Sequence, residues 1–174
     1  MQSAGDFNKA LESYTKVLSL TPDRFLLNAA YGSIGDCCFI LAGKNQSGKT
    51  YTEALQSYQK ILETPDLDNG LRAMTLYKIG RSVELSGNDD QAMEYYGKAL
   101  YLPSSLNTPA SRLWAAKAAE AIYSIAEKRP VKQHIENAET ALKMLEKYQI
   151  IPVGTAESRT NILKRARFRP RISK

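Results

Sequence analysis

LYKIGRSVELSGNDDQAMEYYGKALYLP, residues 76–103, holds one complete structural unit. Leu76, Ile79, Gly80 and Val83 recur at helical spacing and define one apolar stripe. Gly87, Asn88 and Asp89 then break the helix. Glycine suits a left-handed cap, and Asn or Asp suits the N-cap of a following helix. Ala92 follows Gly80 by twelve residues. Two small residues at that separation imply antiparallel helices that approach closely across a short turn, where a larger side chain would overpack by ~1–3 kcal/mol. Tyr96 fills the space one turn later, Ala99 admits the next unit, and Pro103 stops the helix.

The second half of this pattern recurs along the chain. A small residue is followed by an aromatic or leucine, an apolar residue and a proline at Ala10, Tyr14, Val17, Pro22; at Ala54, Tyr58, Ile61, Pro65; at Ala92, Tyr96, Ala99, Pro103; and at Ala141, Leu145, Tyr148, Pro152. A lysine stands six residues after each alanine: Lys16, Lys60, Lys98 and Lys147. One supersecondary unit that cannot bury its apolar face alone, repeated along a chain, marks a solenoid. Such arrays mostly hold other proteins.

These residues resemble tetratricopeptide repeats over about residues 5–152. The third unit matches nearly throughout, with Val83 where an aromatic is usual. The second matches through Tyr31, Ile34 and Gly35 and then Ala54, Tyr58 and Ile61. Gly5-Asp6-Phe7-Asn8-Lys9-Ala10-Leu11 is similar to the family's interhelical turn, so the chain starts on a second helix and reads as a piece of a longer protein. The fourth unit is degenerate, and the register of its Trp114 and alanine-rich run stays open. The resemblance implies an all-α, right-handed superhelical solenoid of antiparallel helix pairs. The repeat alanines are spaced by 44, 38 and 49 residues, beyond the family period of ~34, so longer than usual helices are expected. The boundaries expected are a half-repeat at 5–22, repeats at about 23–65, 69–103 and 108–152, and a capping helix with a basic tail at 153–174. Helices are expected near 6–20, 23–43, 51–63, 69–86, 89–101, 109–128, 131–150 and 156–167, with Asn107-Thr108-Pro109 starting the sixth.

The net charge of +6 comes from one end. Residues 151–174 carry seven Lys and Arg against Glu157 alone, while residues 1–150 carry 17 groups of each sign. Cys37 and Cys38 are adjacent on one helix, point about 100° apart, and read as small core residues rather than metal ligands. His134 is the only histidine, which makes neither a zinc site nor a triad. No cofactor or metal is expected, and no acid–base pair or nucleophile constellation points to an enzyme. No stretch reaches the ~20 uncharged apolar residues of a membrane span. The lack of a disulfide framework leans toward the cytoplasm, although a targeting segment upstream of Met1 would be lost from this piece.

Gly43-Lys44-Asn45-Gln46-Ser47-Gly48-Lys49-Thr50 has the form of a phosphate-binding loop. In such a loop Gly43 and Gly48 let backbone N–H groups curl round phosphates, Lys49 neutralises charge and Thr50 holds Mg²⁺. A loop of that kind needs a parallel sheet behind it, and no β-rich run supplies one. The stretch falls where the turn between paired helices belongs, and it reads instead as an insertion between helices. Nucleotide binding is the third choice of function.

In the family, the first helices of successive repeats line a concave groove. Carried over, this places Asp36, Phe39, Met74, Tyr77, Arg81 and Glu84 against a peptide or helix of another protein. Aromatic, methionine and arginine side chains favour interfaces, although Phe39 and Tyr77 serve equally well as packing residues. The tail reads as a cap built on Ile162, Leu163 and Ala166 with a solvated end. Its alternative is a contact of Lys164, Arg165, Arg167, Arg169 and Arg171 with nucleic acid or an anionic membrane.

Overall fold

The computed structural model describes residues 4–45, 50–101 and 108–150, with side chains from residue 6 onward. They form α1 (Ala4–Leu20), α2 (Arg24–Gly43), α3 (Tyr51–Leu62), α4 (Asn69–Leu85), α5 (Asp89–Leu100), α6 (Pro109–Lys128) and α7 (Lys132–Lys147), with no strand among the described residues. The expected helix ends hold to within a turn. The eighth helix, expected at 156–167, lies outside the described residues.

The ends are set by short-range chemistry. Asp23, Asp68, Asn88 and Thr108 each accept a hydrogen bond from a backbone N–H in the first turn of α2, α4, α5 and α6, meeting donors that a helix start leaves unpaired. Gly87 has φ of +88°. Its N–H donates to the Glu84 carbonyl at 2.9 Å, and the Asn88 N–H donates to the Val83 carbonyl at 3.2 Å. This reversed pair of bonds closes α4 and starts α5. The same device ends α7 a turn before 150: Gln149 takes φ of 51°, and the Ile150 N–H donates to the Leu145 carbonyl at 2.9 Å.

Each helix packs on its sequence neighbour, and α4 also meets α6 while α5 meets α7. Contacts to the next helix and the next but one are those of stacked hairpins. The first helices α2 and α6 have 20 residues each, whereas the second helices α3 and α5 have 12. The surplus length sits in the long first helices, in the connection after Gly43, and in the turns of α7 that precede Ala141. Ala115, Ala116, Ala118, Ala119 and Ala121 are all buried. An alanine-rich helix is thin enough to be covered by α4, α5 and α7 together.

The close approach brings an aromatic ring against each glycine. An added Cβ on Gly80 would lie 2.6 Å from Tyr96 Cε1, and one on Gly35 would lie 2.4 Å from Tyr58 Cε1. At each glycine the three nearest atoms belong to the ring of the tyrosine one turn beyond the hairpin alanine. Ala54 and Ala92 are fully buried within the first turns of α3 and α5. The fourth set departs: Ala141 falls in the middle of α7, and Leu145 replaces the tyrosine.

His134 ties α7 to its neighbours. It is 1% exposed, with Nδ1 3.0 Å from the Arg129 carbonyl and Nε2 2.6 Å from Asp90 Oδ1 on α5. The hydrogen bond from His134 holds the Asp90 carboxyl below its usual value of 3.8. A depressed carboxyl stabilises the fold fully above its unfolded value, and that part is lost as pH falls through the lower folded value. Asp90→Asn is therefore expected to destabilise at pH 7 and to lose less stability on acidification than the parent. Urea midpoints at neutral and acidic pH measure both.

Candidate partner-binding groove

The first helices α2 and α4 lie side by side and leave a cavity of ≈ 260 Å³ between them. Its α2 wall is Phe25, Asn28, Ala29, Gly32, Ser33 and Asp36, one face read at three- and four-residue steps. Leu71, Met74 and Lys78 form the α4 wall, and Ile61 of α3 is the floor. Phe25 stands at the rim and is 79% exposed. Gly32 keeps the cavity open, since a Cβ there would meet only Ile61 Cδ1, at 3.7 Å. Charge is sparse: α2 carries only Arg24 and Asp36 in 20 residues. By length and composition α2 is apolar enough to cross a membrane, with mean hydropathy 1.5 over 18 residues, of which 33% are buried. Here it packs between α1 and α3, and its Asp36 is engaged in an ion pair.

Of the six expected groove residues, Asp36 and Met74 line this cavity. The other four lie outside it, half-buried, and contact neighbouring side chains. Phe39 meets Tyr51 of α3 edge to face at 5.3 Å. Tyr77 lies between Tyr96 at 5.7 Å and Trp114 of α6 at 5.4 Å. Arg81 pairs with Glu84 at 2.7 Å, and Glu84 has a side chain only 7% exposed. The structure thus favours the packing role for Phe39 and Tyr77.

Two carboxylates join successive hairpins in the same way. Asp36 on α2 accepts from the Tyr58 hydroxyl of α3 at 2.6 Å and from Lys78 of α4 at 2.7 and 2.8 Å. Glu84 on α4 accepts from the Tyr96 hydroxyl of α5 at 2.7 Å and meets Lys128 of α6 at 3.5 Å. Burial pushes both phenols well above their ordinary value, and the bond to the carboxylate adds to it. Each phenol therefore stays a donor. Lys78→Met is expected to cost about 0.5–1 kcal/mol, because the pair is partly exposed. The difference should shrink in concentrated salt, as denaturation midpoints would register.

Around the phosphate-loop motif, the run from Cys37 to Gly43 is the last part of helix α2, not a strand. Thr50 caps α3, its N–H donating to Glu53 Oε2 at 2.7 Å. Gly48 and Lys49 lie outside the described residues, as do Lys164, Arg165, Arg167, Arg169 and Arg171. Cys37 and Cys38 are buried. Burial, reinforced by Asp36, raises the Cys37 thiol. Among the described residues, no group of three or more His, Cys, Asp or Glu is placed to hold a metal ion.

Sequence reasoning missed Phe25, Gly32 and Lys78. The first two share a helical face with Asp36, so extending that face toward the start of α2 would have found them. Lys78 was hidden because its partner stands on a different hairpin.

The family model for the tetratricopeptide repeat matches residues 2–24 and 75–105, which correspond to α1 and to the α4–α5 hairpin. No curated protein and no solved structure matches the chain.

Proposed function

Because this chain carries tetratricopeptide repeats, we propose that it is a non-catalytic scaffold that holds a peptide or helix of another protein between its first helices. Domains of this family generally mediate protein–protein contacts. The observation that carries the finer reading is the open apolar cavity between α2 and α4, with Phe25 79% exposed at its rim. An exposed aromatic beside a preformed apolar socket is the usual composition of an interface anchor. Asp36, Met74, Phe25 and Gly32 are the contact residues on this reading. Tyr77, Arg81 and Glu84 act indirectly, by holding α4 in place.

Affinity capture with the parent chain, Phe25→Ser and Gly32→Leu tests it. Gly32→Leu fills the socket from within; a Cβ at that site meets only Ile61 Cδ1 at 3.7 Å, and Gly32→Ala provides the milder variant for comparison. A bound protein held by the parent should be lost from Phe25→Ser and Gly32→Leu while their helical circular dichroism stays unchanged. An identical bound set on all three chains would end the groove reading.

A further inference from the structure

A second concavity lies on the other side of the array, between the second helices α5 and α7. It encloses ≈ 600 Å³ over an apolar floor of Met93, Tyr101 and Ile122, with Asp90, Glu94 and Lys98 on the α5 wall, and Lys98 lies over the Tyr95 ring at 5.0 Å. Two polar ties span it, His134 to Asp90 at 2.6 Å and Asn137 Nδ2 to Met93 Sδ at 3.5 Å. They set the separation of α5 and α7, which touch less than neighbouring helices do.

Charge selects an occupant. Among the described helices α5 alone has an acidic excess, with Asp89, Asp90 and Glu94 against Lys98. The first helices α4 and α6 lean basic, with Arg72, Lys78 and Arg81 against Glu84 on α4. Glu94 is exposed and makes no hydrogen bond or ion pair among the described residues. The chain's own positive excess lies wholly in residues 151–174, where Phe168 sits between Arg167 and Arg169. We propose that this basic segment docks in cis into the α5–α7 cleft, with Phe168 on the apolar floor and flanking arginines against Glu94 and Asp90.

Reach permits it. The segment follows Ile150, just beyond α7, and α7 is about 24 Å long at 1.5 Å per residue. Phe168 is eighteen residue steps beyond Ile150. They span ~60 Å extended and ~27 Å as a helix, so either form covers the cleft. Tethering holds the segment at an effective concentration of order millimolar, so individually weak exposed ion pairs suffice. This proposal stands apart from the groove reading, since it concerns the opposite face and a ligand carried by the chain itself.

The test is paramagnetic broadening on the full chain with a nitroxide at Ser173→Cys. At low salt, the amide signals of Met93, Gly97 and Gln133 should lose more than half their intensity. The loss should persist on tenfold dilution, reverse in ~0.5 M salt, and reverse in Glu94→Lys at low salt. Unbroadened cleft amides would overturn the proposal. So would broadening confined to Lys143 and Lys147 on α7, which would mark a terminal cap. Broadening that disappears on dilution would mean contact between chains and would equally defeat docking in cis. A cleft signal indifferent to both salt and Glu94→Lys would overturn the charge argument. The labelled chain is also mixed with vesicles containing phosphatidylserine or with single-stranded RNA. If the segment leaves no mark on the cleft until either is added, an external anion is its partner instead.

Discussion

Tyr96→Ala is expected to destabilise the chain by about 3–5 kcal/mol, the range for deleting a large buried aromatic. Tyr58→Ala should do the same to the hairpin before it. Both rings are almost wholly buried, with exposures of 0% and 2%. Each deletion removes three things together. The ring fills the space left by a glycine on the facing helix, its hydroxyl satisfies a carboxylate, and that carboxylate anchors a lysine of the next hairpin. Glu84 is the harsher case, since its side chain is 7% exposed and loss of a donor leaves a buried acceptor short of a partner. Tyr96→Phe separates the contributions, keeping the ring and deleting the bond, and should cost about 1–2 kcal/mol. For a domain of this size, the full deletion lowers the melting temperature by on the order of 10 °C. A Tyr96→Ala chain within 1 °C of the parent would contradict this account of how the hairpins are held.

Gly80→Ala, the smallest possible addition, is expected to cost about 1–3 kcal/mol. An ordinary glycine in a helix interior gains up to ~1 kcal/mol when replaced by alanine, so even the sign is diagnostic. The added Cβ would lie 2.6 Å from one ring atom of Tyr96 and 2.7 Å from the next. The ring cannot swing aside, since it is buried and its hydroxyl is fixed on Glu84. Gly32→Ala supplies the control: it belongs to the same type of helix, but its Cβ has 3.7 Å to the nearest atom. It should be neutral or slightly stabilising. Combining Gly80→Ala with Tyr96→Leu should cost less than the sum of the two, because the ring that the Cβ strikes is gone. Additive losses would show that Gly80 and Tyr96 do not act on each other.

Much of the array was legible in the sequence because its signals are local. Gly87 and Asn88 punctuate α4 and α5 by backbone geometry and a side-chain cap. Thr108 with Pro109 opens α6 in the same manner, and the stripe of Leu76, Ile79 and Val83 is buried as its spacing requires. That the ring of Tyr96 lies directly against Gly80 was less legible, because spacing along the chain does not say which side chain crosses a hairpin. A tyrosine one turn farther on reaches back over the glycine. Four of the six expected groove residues are half-buried and engage neighbouring side chains for a related reason. Tyr77, Arg81 and Glu84 share a face, but Trp114, Tyr96 and Lys128 come from other helices and occupy that face first. Phe25 was overlooked because it sits in the first turn of α2, before the repeat's recognisable small residues begin. The socket itself, made by Gly32, Met74 and Ile61 from three helices, exists only once α2 and α4 are side by side.

A photoreactive side chain placed at Ser33, on the groove wall, and separately at Gln56, on the exposed side of α3, would report whether a partner sits between the first helices. Crosslinking in extract should yield a discrete adduct from position 33, suppressed by Gly32→Leu, and none of that mass from position 56. An adduct that forms equally from both positions, or from 56 alone, would contradict a partner held between the first helices.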